Sequence, residues 1–273
     1  MIRIIPVFFV AFICTLLTTA HRALSQPAKE DRVAVSYLAP GHPALEPLAK
    51  MLKDKQALER VRQLLLPVRW PRPLKLELRG CNGEANAGYE NAVITVCYEL
   101  LDSFWQSANA STRPAALTRE DAFLGQSLNV FLHEAAHALF DLLKIPVLGQ
   151  EEDAADQLAG YYLLQLPNEK KRSLILGSAY AFASELKAFR PRDFSRLRLQ
   201  IGRHVVFADE HGTPAQRLYN VLCLAYGSDK KLFGDIVEKG FLPKERAEIC
   251  ADEYKQVDLA YRMLIAPHMD AGE

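Results

Sequence analysis

Residues 127–143 read SLNVFLHEAAHALFDLL, and the fold is decided there. Leu128, Phe131, Leu132, Ala135, Ala136, Leu139, Phe140 and Leu143 recur at i, i+3 and i+4, the spacing of a broad apolar helix face. Asn129, His133, His137 and Asp141 step by four along a ridge directly beside that face. A surface helix puts such groups opposite the core. A buried helix omits them, because a desolvated polar group costs energy unless it is paired. A polar ridge within a largely apolar helix therefore predicts a shared cation. Upstream, Thr118 with Asp121 three residues on marks the helix start, and Pro146 and Gly149 mark its end.

The pattern His133-Glu134-x-x-His137 sets two imidazoles one turn apart, within reach of one ion, with an acid close enough to polarise a water on it. With 7 His and 33 acids in 273 residues, chance supplies such a pattern about 0.02 times, so it counts as signal. Catalytic Zn2+ takes three protein ligands and keeps a position for water. The next helix opens with Glu151-Glu152-Asp153-Ala154-Ala155-Asp156, in which Glu152 and Asp156 share a side with Ala159, Gly160 and Leu163. Glu152 is therefore assigned as third ligand, and Asp156 as the acceptor that fixes an imidazole tautomer, that of His133. Glu151 and Asp153 are explained by the helix dipole. Glu134 then serves as general base in hydrolysis of a peptide or protein substrate. A catalytically silent envelope scaffold or binding protein with a structural metal would need the same ligands. Glu134, for which a structural site has no use, favours an enzyme. Hydrolysis of a non-peptide amide of the cell wall is a third reading.

The pattern HExxH followed by Glu152-x-x-x-Asp156 resembles the gluzincin metallopeptidases, of which thermolysin is the familiar member. Asn86-Ala87-Gly88-Tyr89 resembles the segment with which those enzymes hold substrate backbone along an edge strand, with Gly88 where an aromatic is usual. The resemblance implies substrate contacts at Asn86 and Ala87. It also implies an oxyanion-stabilising role for a downstream histidine, here His211, with Tyr219 behind it. HEAAHALFD, LGQEEDAAD and DEHGTPAQRLYNVLCLAYGSD together are similar to a bacterial metallopeptidase family, over most of the chain.

Outside the motif, the chain opens with Arg3 and an uncharged run from Ile4 to Leu17, then small residues. That run is shorter than the ~20 residues of a membrane span, so residues 1–25 read as a cleaved signal peptide and the mature protein as periplasmic or secreted, with no stable span. Cys81, Cys97, Cys223 and Cys250 remain, an even number that suggests two disulfides. Three connectivities are open; proximity favours Cys81–Cys97 and Cys223–Cys250, while a four-cysteine metal site lacks CxxC spacing. With 33 basic and 33 acidic residues there is no global field for nucleic acid. The stretch Lys187, Arg190, Arg192, Arg196, Arg198 and Arg203 reads as a solvated helix face. His42, His204 and His268 read as structural or solvated.

Residues 26–42 read as an extended lead-in, 43–66 as one amphipathic helix, and 74–78 and 93–98 as strands. Helices follow at 118–143, 150–167, 169–189, 193–208, 214–226, 229–238 and 243–264. The expectation is a single α+β, zincin-like domain over 26–273: a strand-containing part at 26–117 and a helical part at 118–273, with a small mixed sheet beside the HExxH helix.

Overall fold

The computed structural model describes residues 28–109, 117–188 and 210–271. The leader at 1–25, the helix expected at 193–208, residues 190–203 of the arginine-rich stretch and His204 lie outside the described residues. The fold is α+β. Strands β1 (Val33–Tyr37), β2 (Leu74–Arg79), β3 (Ala87–Glu90) and β4 (Val93–Cys97) form one mixed sheet in the order β1-β2-β4-β3. β1 and β4 both run parallel to β2, and β3 runs antiparallel to β4 at the edge. Leu74, Leu76, Leu78, Ile94 and Val96 are wholly buried; a side chain of this size contributes about 1.5–3 kcal/mol when removed from water. Glu77 is buried between them on the other face and is paired with Lys75 Nζ at 2.6 Å.

The N-terminal part departs from expectation in three places. The lead-in contains β1. Residues 43–66 form two helices, α1 (Glu46–Asp54) and α2 (Ala57–Leu65), because Gln56 between them adopts the left-handed region at φ 52°, where a helix cannot continue. β3 falls on the segment whose resemblance implies an edge strand, although its four residues show no alternation. A helix, α3 (Tyr98–Ser107), starts at Tyr98, which reads in sequence as the last strand residue.

The helical half comprises α4 (Arg119–Leu142), α5 (Glu151–Leu164), α6 (Asn168–Ala188), α7 (Pro214–Ser228), α8 (Lys230–Phe233), α9 (Asp235–Glu238), α10 (Lys244–Ala247) and α11 (Cys250–Leu264). The single helices expected at 229–238 and 243–264 are thus each divided in two. α4 is the central element. Its first half meets α6 at backbone distance: a Cβ at Gly125 would stand 2.5 Å from the Leu174 carbonyl oxygen, and one at Gly177 would stand 2.5 Å from that of Asp121. Disulfides join Cys81 to Cys97 and Cys223 to Cys250, so no four-cysteine metal site exists. No helix among the described residues is long and apolar enough to cross a membrane.

Candidate functional site

The site is built where the second half of α4 meets the first turn of α5. Thr118 caps α4, its Oγ1 accepting from the Asp121 N–H at 3.0 Å. Four turns later the helix buries His133 and Glu134 beside the apolar residues Leu132, Ala135 and Ala136. Lys144 at φ 55° and Gly149 at φ 108° turn the chain after α4. The turn brings the acids that open α5 against the two histidines.

Three ring nitrogens converge on one carboxylate oxygen. Glu152 Oε2 lies 2.9 Å from His133 Nε2, 3.4 Å from His137 Nε2 and 2.9 Å from His211 Nε2, and the first two nitrogens are 3.2 Å apart. Ligand atoms of a tetrahedral zinc site with bonds near 2.0–2.1 Å stand roughly 3.3 Å apart. The separations among His133, His137 and Glu152 bracket that value, so this donor set fits such an ion. His211 adds a third nitrogen: its donor atom and those of His133 and Glu152 all lie within 4.8 Å of one another. On the far side of each α4 imidazole a carboxylate accepts from Nδ1: Asp156 Oδ1 from His133 and Glu151 Oε1 from His137, at 2.9 and 2.8 Å. These bonds leave both Nε2 atoms turned toward Glu152.

Charges in the cluster are strongly coupled. Burial pushes the His133 ring toward neutrality, but its bonds to Asp156 and Glu152 raise its pKa above the usual imidazole value. The His133 bond holds Glu152 below the usual carboxylate range. Burial lifts Asp156, and its bonds to His133 and Arg217 more than reverse that. Burial pushes Glu134 up, against the pull of His133 and His137.

These residues border a cleft of about 460 Å³, whose opposite wall is the edge strand, with Asn86, Ala87, Gly88 and Tyr89. The Cys97 N–H donates to the Asn86 carbonyl at 3.0 Å, which marks this pair as hydrogen-bonded in the antiparallel ladder. By alternation, Ala87 and Tyr89 direct their backbone groups away from β4. The Ala87 N–H is taken by Asn86 Oδ1 at 2.9 Å. The Tyr89 hydroxyl donates to Asp141 Oδ2 at 2.7 Å, tying the strand to α4 one turn beyond His137.

The structure thus brings together His133, Glu134, His137, Glu152, Asp156, His211, Asn86 and Ala87. Tyr219 does not join them. It follows Arg217 by two residues, about 200° around α7, and its half-exposed ring does not line the cleft. Three participants were missed in sequence. Glu151 was accounted for by the helix dipole, yet it holds His137. Arg217 grips both oxygens of Asp156, at 2.6 and 2.7 Å, and lies over the Phe182 ring. Glu185 of α6 lines the cleft. Glu151 could have been found from its spacing to His137; nothing in the sequence pattern marks Arg217 or Glu185.

A family model described as "putative metallopeptidase" matches residues 37–265. No curated protein and no solved structure matches the chain.

Proposed function

Since the chain belongs to that metallopeptidase family, we propose that it is an exported zinc-dependent peptidase. The observation that carries this reading is the convergence of His133, His137 and Glu152 at tetrahedral spacing beside a buried, unpaired acid. His133, His137 and Glu152 hold the zinc. When bound, zinc polarises the scissile carbonyl and makes a water acidic enough to attack near neutral pH. Glu134 would act as the base, a carboxylate oxygen taking a proton from the attacking water and passing it to the leaving amine. His211 stabilises the oxyanion through Nε2. The outward backbone groups of β3 hold the substrate as an added strand, with Asn86 and Ala87 at the contact. Asp156 and Glu151 fix the two imidazoles so that each offers Nε2.

Glu134 separates this reading from a silent scaffold. Its carboxylate is buried and makes no hydrogen bond or ion pair among the described residues. That arrangement costs stability, and catalysis explains it where a structural metal does not. Export is supported by the two disulfides and by the sequence of residues 1–25. One continuous core through the sheet and helices supports a single domain over 26–273.

The test uses the mature protein. Wild type is expected to carry about one zinc and to cleave a quenched peptide library. His137→Ala loses most of the metal, and Glu134→Gln keeps it while hydrolysis falls roughly 10²–10⁴-fold. Unchanged zinc in the first variant removes the ligand set; unchanged turnover in the second removes the base.

A further inference from the structure

Of the ionisable side chains lining the cleft, Glu185 is left without a task. Glu152 faces three ring nitrogens, and Glu151 accepts from His137. Glu134 faces the imidazoles, and Arg217 is committed to Asp156 through two nitrogens. Glu185, near the end of α6, makes no hydrogen bond or ion pair among the described residues. The charges that act on it are those of Arg217 and His211, which favour its ionised form, and of Asp156, which opposes it.

Glu185 is an exposed residue at the cleft, yet the protein around its carboxyl desolvates it enough to push its pKa up. A carboxylate so placed gains more from a cation brought against it than one in bulk water does. The balance of the lining points the same way. Four carboxylates face one guanidinium among the described residues, and that guanidinium is taken. A divalent ion at the centre would offset two of these four carboxylates and leave the lining negative, with Glu185 still lacking a hydrogen-bond partner among the described residues.

We propose that Glu185 is a specificity-determining residue that receives a positively charged nitrogen of the substrate, from a basic side chain or a free α-amino terminus. The proposal rests on the peptidase reading and names its substrate class. It is tested with peptides of one sequence carrying Lys or norleucine at scanned positions, each with a free or an acetylated N-terminus. For zinc-loaded wild type, kcat/KM is expected to favour the cationic member of one contrast roughly tenfold or more, as a charge-assisted contact in a partly desolvated site provides. The Lys/norleucine contrast reports a side chain and the acetylation contrast a terminus. Glu185→Gln, which keeps the shape, brings the ratio to near one. Glu185→Lys inverts it in favour of a Glu-bearing peptide.

A second readout needs no turnover: binding of a C-terminally labelled Lys peptide to Glu134→Gln protein, followed by fluorescence anisotropy, is lost when Glu185→Gln is added. Equal ratios in wild type and Glu185→Gln overturn the proposal and leave the peptidase reading intact. Charge-dependent binding without cleavage by wild type has the opposite meaning. It removes the peptidase reading and keeps the cation site.

Discussion

Among the described residues, two places gather three residues of metal-binding type within a few ångströms: Cys81, Cys97 and Glu99 at the end of the sheet, and His133, Glu152 and His211 beneath the cleft. In the first, the sulfurs are bonded to each other, and the Glu99 carboxylate accepts from the backbone N–H groups of Cys81 and Gly83 at 2.9–3.0 Å. Every lone pair that matters is engaged by the fold itself. In the second, the donors face one another without a covalent bond, and Asp156 holds the outer side of His133. Nearness of ligand atoms is common to both. What differs is whether the chain has already used them.

The comparison can be broken in order of expected effect. Glu152→Ala removes one of three donors; dividing the ~10–16 kcal/mol of a four-ligand zinc site evenly gives about 3 kcal/mol, a metal affinity lower by a factor of roughly 100 or more. Competition against a chromophoric chelator measures it, and retention of wild-type affinity would transfer the site elsewhere. Cys81→Ala with Cys97→Ala should lower stability to denaturant by about 3 kcal/mol while zinc content stays unchanged. Any loss of metal there would mean that the two clusters are not independent.

Asp156→Asn keeps the shape and weakens the hold on His133, with an expected 10–100-fold loss of metal affinity. The same value as wild type would show that Arg217 and packing orient the ring unaided. The smallest effect belongs to Glu99→Gln. Burial raises the Glu99 pKa, but the backbone donors of Gly83 and Cys81 together bring it below the usual carboxylate value in the folded protein. A depressed folded pKa contributes stability above the unfolded pKa and loses it as pH falls through the folded one. The variant should therefore be less stable than wild type by up to about 1 kcal/mol at pH 7. The difference should fade as pH falls through the depressed folded pKa in paired denaturation curves, and a gap independent of pH would assign the effect to packing.

Much of the centre was legible because helices repeat. His133, His137, Glu152 and Asp156 lie on i, i+4 steps, so spacing alone brings their side chains to one side. The sheet edge was legible only through its resemblance and not through periodicity, since β3 has four residues and a glycine in place of alternation. The break at Gln56 was hidden because its left-handed conformation occurs without Gly or Pro. Gly125 and Gly177 look like weak points within helices until each is seen opposite the other across α4 and α6. Arg217 and Glu185 were invisible for a related reason. Their partners lie far along the chain, and a lone charge on a helix carries no pattern. Periodicity thus reports what one element does with itself, and is silent on what two distant elements do together.

The hydroxyl of Tyr89 on Asp141 couples the wall of the cleft to its floor. On the peptidase reading, the surface that grips a chain and the point that cuts it belong to one rigid caliper. Sliding the grip cannot move the cut independently. Cleavage then falls at a set number of residues from the gripped segment, and loosening that one phenol would blur where fragments end before it changed how fast they form.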